Sequence, residues 1–161
     1  MAWFVYFSVY LIRMIYIGSD HRGFEVKKKI LEVLAEKEVL IRDVGNLKKE
    51  EDDDYVDYAI KLGTKVVNEA ALGILICGTG TGMVIAANKI KGVRAGFCFC
   101  PKQARLAVED NNINVLCLSA DLVEIDENIE IVRSFINSQF TAEDRHIRRI
   151  NKIKKYETSN D

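Results

Sequence analysis

The sequence predicts an α/β domain: a parallel sheet with helices on both faces. Three observations carry this. Several runs of strand length are apolar throughout, as strands buried on both faces are, rather than alternating with polar residues. Stretches of helical period lie between these runs. Strand and helix alternate along the chain, and parallel strands need crossover connections, which are right-handed.

In chain order, Met14–Ile17 is the first strand, closed by Gly18. Phe24, Ile30, Leu31 and Leu34 place an apolar stripe along a helix at Gly23–Lys37, and Val39–Val44 follows as a weaker strand. Tyr55–Ala70 repeats the helical pattern ahead of a third strand, Leu72–Cys77. Thr81–Ile90 is helical and Val93–Phe99 is the fourth strand. Pro101, the only proline, stands where a helix begins, a position that suits its fixed φ and missing N–H. That helix runs on to Asp110; Val115–Leu118 is the fifth strand, and helices at Glu127–Phe140 and Thr141–Tyr156 close the chain.

The 161 residues, 48% hydrophobic, suit one domain with a sizeable core. With 23 Lys+Arg against 24 Asp+Glu, bulk charge points neither to nucleic acid nor to an acidic membrane surface. The acidic run Glu50–Asp54 reads as solvated surface, because like charges repel and stay in water. The four cysteines, Cys77, Cys98, Cys100 and Cys117, sit in apolar runs without disulfide or zinc spacing, and there are only two histidines. Core packing in a reducing cytoplasm is the expectation, with no metal. Residues 1–13 are apolar and aromatic, too few to span a bilayer, and lack the basic start and small-residue cleavage site of a secretory signal. They read as an extension of doubtful origin ahead of a domain at 14–161, the alternative being a segment that meets a membrane or partner.

Ligands of such sheets bind at the carboxyl ends of the strands. This selects Gly18–Gly23, the Cys77–Gly82 loop and the end of the fourth strand near Phe99–Pro101. The second is the most informative: a buried strand delivers Cys77 to a glycine-rich turn, Gly78-Thr79-Gly80-Thr81-Gly82, that opens a helix. Free amides at a helix N-terminus stabilise an anion and are expected to lower a thiol pKa. A thiolate beside oxyanion-binding amides is what proton abstraction next to a carbonyl requires. A dinucleotide fingerprint fails, since Met83 stands where its last glycine belongs, and no Walker pattern is present. A nucleophilic cysteine wants a histidine, for which His21 is a candidate. Arg145 and Arg149, at i and i+4, lie on one helix face and can clamp a phosphate, or form an exposed basic face.

The runs GSDHRGFEVKK, DYVDYA, ILICGTGTGMVIAANKIKGVRA, DNNINVL and DRHIRRI, in this order from Met14 to Tyr156, resemble the type B ribose-5-phosphate isomerases, a family that includes galactose-6-phosphate isomerase subunits. The resemblance implies a Rossmann-like three-layer sandwich with a five-stranded parallel sheet and a C-terminal helix reaching a partner subunit. It also implies a homodimer with shared active sites, able to pair into tetramers, and no cofactor. By position it makes Cys77 the base, Thr79 an assisting hydroxyl and the Gly78, Gly80 and Gly82 amides the anion hole. Asp20, His21 and Asn111 contact the sugar, and Arg145 and Arg149 hold the phosphate from the neighbouring subunit. The implied activity is interconversion of ribose 5-phosphate and ribulose 5-phosphate through a cis-enediolate, in the pentose phosphate pathway. Isomerisation of a hexose 6-phosphate, or phosphosugar binding without catalysis, is the alternative.

Two positions depart from the pattern. Asp110 stands where most of the family has a ring-opening histidine, and a carboxylate of ordinary pKa, about 3.9, is a competent base but a poor acid at neutral pH. Either Asp110 does the work with a raised pKa, or His21 takes it over, or the protein uses the open-chain fraction of its sugar. Asp121 stands where many relatives have a basic residue near the phosphate.

Overall fold

The structure, a computed structural model, describes residues 13–36 and 39–159; the apolar run at 1–12 lies outside the described residues. Among the described residues five strands, β1 (Ile15–Ser19), β2 (Ile41–Asp43), β3 (Leu72–Cys77), β4 (Ala95–Phe97) and β5 (Val115–Ser119), form one parallel sheet in the order β2-β1-β3-β5-β4. Six helices connect and follow them: α1 (Phe24–Ala35), α2 (Tyr55–Asn68), α3 (Thr81–Ala87), α4 (Pro101–Asn111), α5 (Ile125–Asn137) and α6 (Asp144–Ser159). This is the Rossmann-like three-layer architecture that the sequence implies.

The strands are apolar throughout because each faces a core on both sides. In β1, Ile15 and Ile17 pack with α1, α4 and α5, while Tyr16 turns to α2 and α3. In β3, Ile74 and Ile76 take the first side and Leu75 and Cys77 the second. The chain moves from β1 to β2 in one direction and on to β3 in the other, so strand order reverses between β1 and β3. That reversal opens a crevice at the carboxyl ends of β1 and β3, where ligands of such sheets bind.

Differences from the sequence reading are confined to element ends, each with a local cause. The α3 helix stops at Ala87 because Asn88 turns its side chain onto β4, donating to Ala95 O at 2.9 Å and accepting from Ala95 N at 2.8 Å. Gln103 does the same beyond it, donating to Phe97 O at 3.0 Å and accepting from Phe99 N at 2.9 Å. Two side-chain amides therefore stand in for a neighbouring strand along the outer edge of β4, which would otherwise offer its backbone to another chain. The β4 ladder is short because it has one partner strand. The α6 helix begins at Asp144 rather than Thr141, since Thr141 is tied back to α4, its N–H and hydroxyl both donating to Glu109 O at 3.1 and 2.9 Å.

The four cysteines are free thiols, as expected; Cys98 and Cys117 are buried in the core, but Cys100 is only half-buried as the residue before α4. Among the described residues no helix is long and apolar enough to cross a membrane, and no group of three or more His, Cys, Asp or Glu could hold a metal.

Candidate active site

The crevice between β1 and β3 is walled by the two turns that the sequence singles out. Cys77 ends β3 with its side chain on the α2/α3 side, 5% exposed, and its Sγ accepts the Gly80 N–H at 3.2 Å. The turn that follows needs its glycines. Gly80 caps α3 with φ +79°, and a Cβ there would lie 2.6 Å from the Phe97 ring, while a Cβ at Gly82 would lie 2.6 Å from the Tyr55 ring. Gly80→Ala is therefore expected to cost about 1–2 kcal/mol from its left-handed backbone alone. At about 2–4 °C per kcal/mol for a chain of this size, thermal unfolding will show the loss.

The Cys77 thiol does not show the lowering expected at a helix terminus. Burial pushes it above its ordinary value, and the nearby Asp20 carboxylate adds to the rise. The N–H groups of Met83, Gly80 and Thr79 pull the other way without overturning it. The balance favours the neutral thiol, while the same N–H groups favour its anion. Thr79 is exposed at the mouth of the turn.

Asp20 follows β1 and is 5% exposed, its Oδ1 accepting the N–H groups of Arg22 at 3.0 Å and Gly23 at 2.9 Å. It thereby fixes the turn into α1, whose Gly23 lies against Ile76 of β3. Burial raises its carboxyl above the usual range, opposed by the Gly23 N–H. His21 is not a partner of Cys77. Its Nδ1 lies 2.6 Å from Asp53 Oδ1, and its backbone N–H donates to the same oxygen at 3.0 Å.

Asp53 is the residue that the sequence reading misses. It belongs to the acidic run read as solvated surface, yet its side chain is 5% exposed and also accepts from Asn46 Nδ2 at 2.6 Å. Burial by itself would raise its carboxyl, but hydrogen bonds from Asn46, His21 and Tyr58 outweigh it and hold the group below its ordinary value. Its neighbour Asp54 caps α2, accepting the Val56 N–H at 3.1 Å. The available signal was position: the run ends where an amphipathic helix begins, and a cap has to be ordered.

The departure at Asp121 also has a physical account. Its carboxylate is paired with the Arg22 guanidinium, and a Cβ on Gly78 would lie 2.7 Å from both Arg22 Nε and Asp121 Oδ2. The acid thus reaches the loop as half of an ion pair rather than as a lone negative charge.

The remaining sequence candidates do not join this crevice within one chain. The α4 helix starts after the carboxyl end of β4 and runs back, so its last residues, Asp110 and Asn111, reach the amino-terminal edge of the sheet. There Asn114 N donates to Arg94 O just ahead of β4, and Gly73 N to Asn114 O at the start of β3. The α6 helix lies at the same edge, with buried His146 placing Nε2 3.7 Å from Asp110 Oδ1 and Nδ1 3.1 Å from the Thr141 hydroxyl. Arg145 and Arg149 project from α6 into solvent, Arg145 Nε pairing with Glu143 at 2.8 Å. Asn111 is exposed and opens onto a 730 Å³ groove along β4 that Arg94, Phe97, Ile153 and Tyr156 also line.

Fold and site define a doubly wound α/β protein whose ligand-binding edge presents a buried cysteine on an amide-lined turn. The chain belongs to the Ribose/Galactose Isomerase family, whose model matches residues 15–153. It is 34% identical over 148 residues to the ribose-5-phosphate isomerase B of Mycobacterium tuberculosis, covering 91% of each chain. Among solved structures it is similar to ribose-5-phosphate isomerase B from Mycoplasma genitalium with bound ribulose-5-phosphate, at 45% identity and a TM-score of 0.88, covering 91% of this chain and 97% of that one. The enzyme from Clostridium thermocellum is similar at 36% identity, with a TM-score of 0.88 over 92% of this chain and 99% of that one.

Proposed function

We propose that the chain is an aldose–ketose isomerase that interconverts ribose 5-phosphate and ribulose 5-phosphate through a cis-enediolate. The observation that carries this reading is the Cys77 turn, a sulfur buried beside an anion-stabilising backbone, in a chain of this family. The Cys77 thiolate removes the proton from C2 of the open-chain aldose, and the C1 carbonyl electrons move onto O1. The Gly78, Gly80 and Gly82 amides face the oxyanion. The O2 proton passes to O1 with the Thr79 hydroxyl assisting, the C2 carbonyl forms, and the thiol returns its proton to C1. Each proton removed is replaced and the oxidation at C2 is matched by the reduction at C1, so the step balances without a redox partner.

The split of the candidates between the two edges of the sheet supports a homodimer with shared sites. Cys77, Thr79, Asp20 and His21 sit at the carboxyl edge, and Asp110, Asn111, Arg145 and Arg149 at the other. One site needs both groups, so the second comes from another copy whose α6 helix brings the arginines to the phosphate. Asp110 then meets the anomeric hydroxyl with His146 behind it, a pair able to take one proton and return another. Residues 14–161 act as one isomerase domain, and four free thiols suit a cytoplasmic setting.

The reading fixes the sign of a pH effect. Because burial raises the Cys77 thiol, the base form grows with pH, and kcat/KM for ribose 5-phosphate is expected to climb through the ordinary thiol range instead of levelling off near neutrality. Initial rates between pH 6 and 10 will test this; a profile flat from pH 6 upward contradicts Cys77 as the titrating base. Kinetics with ribose 5-phosphate against galactose 6-phosphate and allose 6-phosphate test the substrate. A larger kcat/KM for either hexose overturns the pentose assignment and leaves the chemistry in place.

A further inference from the structure

We propose that Asp53 is the positioning residue of His21: it fixes the imidazole as the Nδ1–H form and leaves Nε2 as the ring atom offered to the sugar. The inference rests on the isomerase reading for what His21 meets, but its geometry stands independently. A single oxygen, Asp53 Oδ1, takes both the His21 backbone N–H at 3.0 Å and Nδ1 at 2.6 Å. An ionised carboxylate can only accept, so the ring nitrogen facing it has to carry the proton whether the imidazole is neutral or charged. Among the described residues Nε2 has no hydrogen-bond partner, and the ring is about one-third exposed at the mouth of the crevice.

Asp53 is itself held in place. Its Oδ2 receives Asn46 Nδ2 at 2.6 Å, and Asn46 is anchored in turn by its N–H to Ser19 O at 2.8 Å, beside β1. Beneath that turn the buried Lys27 ammonium donates to Asp43 Oδ1 at 3.0 Å and to Asn46 O, while Gly45 N donates to Asp43 Oδ1 at 2.9 Å. Hydrogen bonds run in one chain from Lys27 and Asp43 through Asn46 to Asp53, so the support of the imidazole is ordered before any ligand arrives. A surface carboxylate that merely happened to touch a histidine would need none of this. The role of an acceptor behind a working imidazole is to select its tautomer and orientation, and by analogy with the partners of metal-bound imidazoles its loss costs about 10–100-fold in function.

The tests are Asp53→Asn and His21→Gln, alone and combined, in the full-length protein, with thermal unfolding as the check on folding. With two histidines in the chain, His21→Gln identifies the His21 signals in long-range nitrogen–proton NMR spectra directly. Wild type is expected to show protonated Nδ1 and unprotonated Nε2 at alkaline pH, and Asp53→Asn to lose that preference. Kinetically, Asp53→Asn is expected to lower kcat/KM about 10–100-fold on its own but less than about twofold in the His21→Gln background. A wild-type ring protonated on Nε2, or tautomer signals unchanged by Asp53→Asn, overturns the proposal. So does an equal Asp53→Asn loss with and without His21, which marks a scaffold role only. If wild type turns over none of the sugars, the isomerase reading fails while the NMR outcome still decides the positioning claim.

Discussion

A mixture of two nearly inactive variants is expected to recover activity. On the proposed mechanism, Cys77→Ala removes the base from the carboxyl edge, and Arg145→Ala with Arg149→Ala removes the phosphate clamp from the amino edge. Coexpressed in equal amounts, chains of a two-fold dimer assort at random, and half of the dimers carry one of each. Each mixed dimer pairs the intact Cys77 turn of one chain with the intact α6 of the other at one site and combines both defects at the second. Active sites then number one in four, so specific activity should return from near zero to about a quarter of wild type. Differently tagged chains, purified through both tags, should reach about half. Recovery of nothing in dimers that carry both tags contradicts sites shared between copies and returns all the chemistry to one chain. That alternative would have to bring α6 across the whole sheet, because Asp110 and His146 lie at the end opposite Cys77.

The second large effect falls on Cys77, the proposed base. Cys77→Ser keeps the shape of the side chain and places a hydroxyl where the thiol stood, but a hydroxyl is far harder to ionise. Conversion of ribose 5-phosphate is expected to fall by about 10²–10⁴, the usual contribution of a positioned general base. The fold should survive, because the serine hydroxyl can still accept the Gly80 N–H that Sγ now accepts, while burying a hydroxyl in the α2/α3 core lowers the melting temperature modestly. A retained rate with an unchanged pH profile would show that another group takes the proton. Asp20, whose carboxyl is raised by burial and which lies close enough to act on the Cys77 thiol, would be next in line.

The fold was legible because its signals are redundant. Ile74 to Cys77 and Val115 to Leu118 are apolar on both faces of the sheet, and no half-exposed strand reads that way. The Cys77 turn was legible for a related reason: a cysteine leaving a buried strand into three closely spaced glycines has few purposes. Its electrostatics were not, because a sequence displays both the helix terminus that lowers a thiol pKa and the buried strand that raises it but not which is larger, and here burial wins. Asp53 was hidden by its neighbours. Five acids in a row look uniformly solvated, and only the turn at Gly45 and Asn46, held by Lys27, selects one of them for the interior. Nor could spacing place Asp110 and the arginines on the edge away from Cys77, since that follows from the direction of α4, which the topology sets. The Arg22–Asp121 pair belongs to the same class: 99 residues separate its members, and the two charges become intelligible only as a pair.

The measurement that bears most directly on the central claim is exchange at C2. Ribose 5-phosphate is incubated in deuterated water with wild type and with Cys77→Ala, and both sugars are followed by NMR. Proton transfer by Cys77 predicts that wild type interconverts the sugars, with deuterium entering ribose 5-phosphate at C2 and ribulose 5-phosphate at C1 in proportion to exchange of the thiol proton with solvent before its return, while the variant does neither. If the variant exchanges C2 as fast as wild type, or if wild type leaves both sugars untouched, Cys77 is not the base of a ribose 5-phosphate isomerase.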